Sequence, residues 1–184
     1  MEFLPTDIDA VVEVRPKRFG DQRGWFSEIY KRDAFADAGI SVDFVQDNES
    51  FSAPTGTLRG LHYQLAPHPQ GKLVRVVRGS ILDVAVDIRR DSPTFGRHVA
   101  VTLSADTGNQ LYVPVGFAHG FVTLEPDVQV TYKVTDRYAP ETERSIRWDD
   151  PTIGIEWPDL GSDGPVLSDK DAVAPLLADQ PDLF

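Results

Sequence analysis

The run Thr57-Leu-Arg-Gly-Leu-His-Tyr-Gln64 sets Arg59 and His62 among apolar neighbours, and the run Gln70-Gly-Lys-Leu-Val-Arg75 adds Lys72 shortly after. Histidine titrates nearest neutrality, so it can take and return a proton. An ammonium or guanidinium beside it can stabilise negative charge that develops on an oxygen. If the three converge in a concave site, the chemistry they suit is proton removal next to a carbonyl, with the resulting oxyanion held by a cation. Periodicity alone leaves a plainer reading open, with His62 a hydrogen-bonded core histidine and Arg59 and Lys72 solvated at strand ends. The chain has no cysteine, so thiol nucleophiles, disulfides and cysteine-bound zinc are excluded, and a reducing, cytoplasmic setting is expected.

The elements that must position these residues read as short strands. From Lys72 to Asp87 the chain is rich in β-branched residues and breaks at Gly79-Ser80; in its second half Leu82, Val84, Val86 and Ile88 alternate with Asp83 and Asp87. That pattern predicts a hairpin of half-buried strands. Further strands are expected over Val11–Val14, Trp25–Tyr30, Phe44–Phe51, His98–Leu103, Gln110–Val113, Gly116–Leu124 and Val128–Val134, with turn residues between them. Many short strands at this spacing make an all-β sandwich or barrel. Helix signals are confined to Lys31–Ala38, ahead of Gly39, and to Asp169–Ala178, which Pro175 interrupts.

A chain of 184 residues suits one globular domain, expected here over residues 1–184 with fraying from about Ala178. The net charge of −11 opposes binding to a phosphate backbone, and no basic stripe offsets it, so nucleic acid is excluded as a partner. A small anion stays compatible with that charge, because a few cations in a concave site set the local potential. No apolar run approaches bilayer thickness and the amino terminus lacks a signal-peptide pattern, so a soluble protein with no membrane partner is expected.

Gly108, Pro114, Gly116 and His119 follow the spacing Gly-(five residues)-Pro-x-Gly-x-x-His, which resembles the second motif of the cupin superfamily, a jelly-roll β-barrel that often binds a metal. The first cupin motif usually supplies His-x-His and a glutamate seven residues before a glycine. Here the corresponding positions read His62-Tyr63-Gln64 and Lys72, ahead of Gly79. An ammonium where a carboxylate ligand would stand argues against a metal, which needs neutral or anionic donors.

A more specific resemblance covers roughly Phe3 to Asp171. The blocks Asp21-x-Arg-Gly-Trp-Phe-Ser-Glu28, Gln46-Asp47-Asn48, Leu58-Arg-Gly-Leu-His-Tyr-Gln64, Gln70-Gly-Lys-Leu-Val-Arg75, Pro114-x-Gly-Phe-Ala-His-Gly-Phe121, Tyr132-Lys133, Tyr138-x-Pro-Glu141, Trp148-x-Asp-Pro151 and Leu167-Ser-Asp-Lys-Asp171 stand in one order. Together they resemble the dTDP-4-dehydrorhamnose 3,5-epimerase family, a branch of the cupins. The resemblance implies cofactor-free and metal-free epimerisation of a 4-keto-6-deoxyhexose carried on a thymidine diphosphate, by a homodimer. His62 matches the catalytic base, Asp169 the carboxylate that orients it, Tyr132 the proton donor, and Lys72 suits the oxyanion. Without the resemblance, Tyr132 reads as an ordinary core tyrosine. Binding roles are implied for Arg23, Glu28, Gln46, Asp47, Asn48, Arg59, His119, Glu143 and Lys170, with Tyr138 stacking on the thymine; Arg23 and Glu28 are candidates to serve the partner's site. Glu49 stands where the family often has histidine, and Phe95-Gly-Arg-His98 replaces a segment that often carries tryptophan. These departures leave room for a specialised 3-epimerase or 5-epimerase. The rivals from other classes are a non-catalytic nucleotide-sugar-binding cupin and a metal-dependent cupin.

Overall fold

The computed structural model describes residues 1–184. Strands β1 (Glu2–Pro5), β2 (Val12–Arg15), β5 (Gln46–Ser52), β7 (Lys72–Arg78), β10 (Gln110–Val113) and β12 (Val128–Val134) form one sheet in the order β1-β2-β10-β7-β12-β5. Strands β6 (Leu58–Gln64), β8 (Ser80–Asp87), β9 (His98–Ser104), β11 (Phe117–Thr123) and β13 (Glu143–Ser145) form a second, ordered β13-β6-β11-β8-β9. Strands β3 (Arg18–Asp21) and β4 (Gly24–Ser27) make a separate hairpin. Pairing is antiparallel throughout both sheets, and the helices are short: α1 (Arg32–Asp37) and α2 (Asp169–Ala172). This is the all-β jelly roll that the sequence predicts.

Three apolar clusters hold the layers. Val74 and Val76 of β7, Ile81 and Ala85 of β8, Phe117 and Phe121 of β11, and Val128 and Val130 of β12 meet in the largest, between the sheets. Leu61, Tyr63, Val84 and Val86 pack on the other side of the second sheet, against Ile146, Ile153 and Leu177 from the carboxy-terminal part of the chain. Beneath α1, Phe35 and Ile40 cover Val14, Leu73 and Tyr112 of the first sheet.

Two expectations need correction. The run Lys72–Asp87 is not a hairpin: β7 and β8 lie in different sheets, and the chain crosses between layers at Gly79. Gly79 has φ +80°, and a Cβ there would sit 2.8 Å from Val128 Cγ2, so the crossing needs glycine. Nor is β8 half-buried, since its second face turns into the barrel instead of solvent, leaving Asp83 and Asp87 fully buried. Asp87 is satisfied there by Arg89, Ser92 and Thr94, and this holds its carboxyl far below the usual range despite burial, which acts the other way. The tail, where fraying is expected from the sequence, packs against the domain. Tyr63 Oη donates to the Asp182 carbonyl at 2.6 Å, the Arg90 amide to that of Phe184 at 2.7 Å, and Gln180 is buried. No helix is long and apolar enough to cross a membrane.

Candidate active site

Strands β6 and β11 pair so that His62 lies directly opposite His119, with a register shift between His119 and Phe121. Two glycines make this close crossing possible. A Cβ on Gly60 would fall 2.5 Å from the Gly120 Cα, and one on Gly120 would fall 2.8 Å from the Arg59 carbonyl oxygen. Both histidines therefore sit on rigid strands in the mouth of the barrel, where they line a cavity of about 670 Å³.

A carboxylate backs His62. Thr57 and Val166 form an isolated parallel bridge, which lays the segment leading into α2 against β6. Ser168 caps α2 by accepting from the Asp171 amide, and Asp171 Oδ1 lies 2.5 Å from His62 Nε2. Burial pushes the Asp171 carboxyl up, but hydrogen bonds from His62, Ser168 and the Gly60 amide outweigh it and leave the group lowered, as a carboxylate. A carboxylate only accepts, so His62 donates through Nε2 and its Nδ1 carries the free lone pair. The partner expected from the sequence, Asp169, is not the one that binds. At 3.6 residues per turn, positions two apart point roughly 200° from one another, so Asp171 faces the barrel while Asp169 is exposed to solvent.

Lys72, the first residue of β7, points into the same cavity and is buried. Loss of water drives its pKa down to about 8, against the pull of Asp83 and Glu143. Nζ makes one hydrogen bond, to the His62 carbonyl at 3.3 Å. Tyr132 of β12 lines the cavity too, and burial raises its pKa, so the phenol keeps its proton at neutral pH. His119 Nε2 lies 2.8 Å from Asp83 Oδ1, and burial pulls the imidazole down, with Asp83 opposing.

The rim carries much of the expected binding set. Gln46 and Asn48 share one face of β5 and are bonded at 2.7 Å. Glu143 pairs with Lys170 at 2.9 Å and accepts from Tyr138 Oη at 3.1 Å, while the Tyr138 amide donates to Gln46. Arg59 reaches the cavity edge and is steadied by Ser52 Oγ and the Phe51 carbonyl. Asp47 does not join them. Strand alternation turns it to the opposite face of β5, where it pairs with Lys133 at 2.9 Å. Arg23 and Glu28 also lie outside the cavity; Arg23 is exposed at the β3–β4 turn and paired with Asp21.

With this geometry in place, comparison with known proteins is decisive. A family model described as dTDP-4-dehydrorhamnose 3,5-epimerase matches residues 5–179. The chain belongs to that family. It is 50% identical to a dTDP-4-dehydrorhamnose 3,5-epimerase of Sinorhizobium fredii, over all of this chain and 93% of the relative. With the Salmonella typhimurium enzyme of that name the identity is 52%, covering 96% of each. A crystal structure of a dTDP-6-deoxy-D-glucose-3,5-epimerase from Legionella pneumophila, in complex with dTDP-4-keto-L-rhamnose, superposes with a TM-score of 0.91 at 48% identity, covering 96% of this chain and 93% of that one.

As a member of the epimerase family, the chain departs from metal-binding cupins in its donor set. His62 and His119 each spend one nitrogen on a carboxylate, Lys72 brings a positive charge, and no group of three or more His, Asp or Glu side chains is arranged to hold an ion. A divalent cation does not fit these residues. Sequence reasoning missed the two carboxylates that bond these histidines, Asp171 and Asp83. Asp171 stood in the quoted Leu167–Asp171 block beside the residue chosen, and helical geometry could have separated the two. Asp83 stands in a run that resembles the family, Asp83-Val-Ala-Val-Asp87, but an acid alternating with aliphatics reads as the wet face of a strand.

Proposed function

We infer that the protein is a dTDP-4-dehydro-6-deoxy-D-glucose 3,5-epimerase of deoxysugar biosynthesis, working without metal or cofactor. The observation that carries this reading is the 2.5 Å pair of His62 and Asp171 in a cavity shared with Lys72 and Tyr132. The C4 ketone of the sugar acidifies the protons on C3 and C5. His62 Nδ1 removes one of them, and Asp171 stabilises the imidazolium that forms. The electron pair left on carbon moves into the C4 oxygen, which the Lys72 ammonium meets. Protonation of the carbon from the other face, by Tyr132 Oη, inverts it. Because both carbons flank the same ketone, one base and one donor serve two inversions.

Binding follows from the rim. Arg59 and Lys170 supply local positive charge for the diphosphate in an acidic protein, Gln46, Asn48 and Glu143 offer hydrogen bonds, and the half-exposed ring of Tyr138 gives the thymine a face to stack on. The functional unit is a homodimer. The β3–β4 hairpin exposes Phe19, Trp25 and Phe26, an apolar group that a second copy would cover, and so would carry Arg23 and Glu28 to the partner's site.

The experiment is solvent exchange. In deuterium oxide the purified protein, given dTDP-4-keto-6-deoxyglucose and no added metal or nicotinamide, should incorporate deuterium at C3 and C5. Incorporation at one carbon alone would identify a specialised 3- or 5-epimerase. None at either would leave a binding protein and end this reading.

A further inference from the structure

Lys72 combines two properties that conflict. It is enclosed by protein, yet the proposed chemistry needs it charged and unengaged. Its single hydrogen bond, to the His62 carbonyl, leaves two N–H groups free of protein acceptors. The groups around it come from several elements: Asp83 of β8, His119 of β11, His62 of β6, Tyr132 of β12, Glu143 of β13 and Lys170 of α2. Of the two carboxylates, Glu143 is already committed to Lys170 and Tyr138.

Asp83 is placed differently. Its Oδ1 takes the His119 Nε2 proton, and its Oδ2 is sealed from solvent with no protein donor. A buried carboxylate oxygen left without a hydrogen bond is costly and calls for a compensating gain. Lys72 is that gain: its Nζ bonds the carbonyl of His62, the residue paired opposite His119, whose ring Asp83 holds, and Asp83 opposes the loss of the lysine proton on burial. In a low-dielectric interior this attraction acts well beyond contact distance. A direct ion pair would occupy the ammonium protons, and no carboxylate at all would let burial strip the charge. His119, donating to the other oxygen, fixes the carboxylate in the arrangement between these extremes.

We propose that Asp83 is a positioning residue, which holds Lys72 in its ammonium form without binding it, so that the lysine protons stay available to the substrate's C4 oxygen. This rests on the reading of Lys72 as the oxyanion partner. Asp83→Asn keeps the shape and can still accept from His119. In the resting protein, with lysine labelled at Cε and followed by NMR, Lys72 should titrate near pH 8 in the wild type and about one unit or more lower in D83N. Deuterium incorporation by D83N should fall about fivefold or more at pH 8 and recover toward wild type near pH 6, which a purely structural defect would not do. An unchanged Lys72 midpoint in D83N overturns the proposal. So does a wild-type midpoint well below neutrality, a measurement that stands even if D83N does not fold. A shifted midpoint with an unmoved pH profile would uphold the Asp83–Lys72 link and count instead against the oxyanion role.

Discussion

Two histidine–carboxylate pairs stand on neighbouring strands at the cavity, and they are not equivalent. His62 keeps 25% of its side chain exposed in front of a nearly sealed Asp171, whereas His119 keeps 8% in front of an Asp83 with none. The carboxylates reach the histidines from different elements, one from helix α2 laid against β6 and the other from strand β8 beside β11. The first arrangement presents a free ring nitrogen to an open cavity, with an anion behind it to stabilise the cation that proton transfer creates. The second sets an imidazole, which burial keeps neutral, against a sealed carboxylate. On the proposed mechanism the same two residue types thus serve as a base or as a fixed support, according to access.

The comparison breaks most visibly at His62. His62→Ala should lower deuterium incorporation by about 10³–10⁴, with the fold unchanged by circular dichroism. Next in size is the choice of carboxylate. Asp171→Asn, which leaves the ring but removes the anion behind it, should reduce the rate by about 10², while Asp169→Asn should stay within about twofold; the reverse order would restore the sequence-based assignment.

A smaller and graded effect comes from pH. As pH rises through about 8, Lys72 loses its proton in the folded protein and activity should fall. Stability should move the other way. Below pH 8 the folded and unfolded chains both hold that proton and the cost of burying the charge is felt in full; between about 8 and the ordinary lysine value of 10.5 the unfolded chain binds more protons, so stability rises with pH. Urea midpoints and exchange rates measured across pH 7–10 should therefore diverge, and parallel decline would show that the alkaline loss is unfolding.

Much of the architecture was legible because alternation and turn residues report strands directly: β10 and β12 appear with the bounds read from the sequence. Which sheet each strand joins was not. β7 and β8 run on through Gly79 as a hairpin would, and only the packing of Val74 and Val76 against Ile81 and Ala85 shows that they face each other across the core. The cavity cations followed from residue type and resemblance. The carboxylates did not, because Asp171 depends on the phase of a four-residue helix and Asp83 on a strand buried on both faces.

The central claim, that His62 is the base and His119 the support, is tested most directly by deuterium incorporation at C3 and C5 with saturating substrate, measured side by side for His62→Gln and His119→Gln. Glutamine at 119 can still donate to Asp83, so that variant should retain exchange within about tenfold of wild type, whereas the variant at 62 should show none above background. Exchange that survives in His62→Gln, or is lost equally in both, would contradict the account.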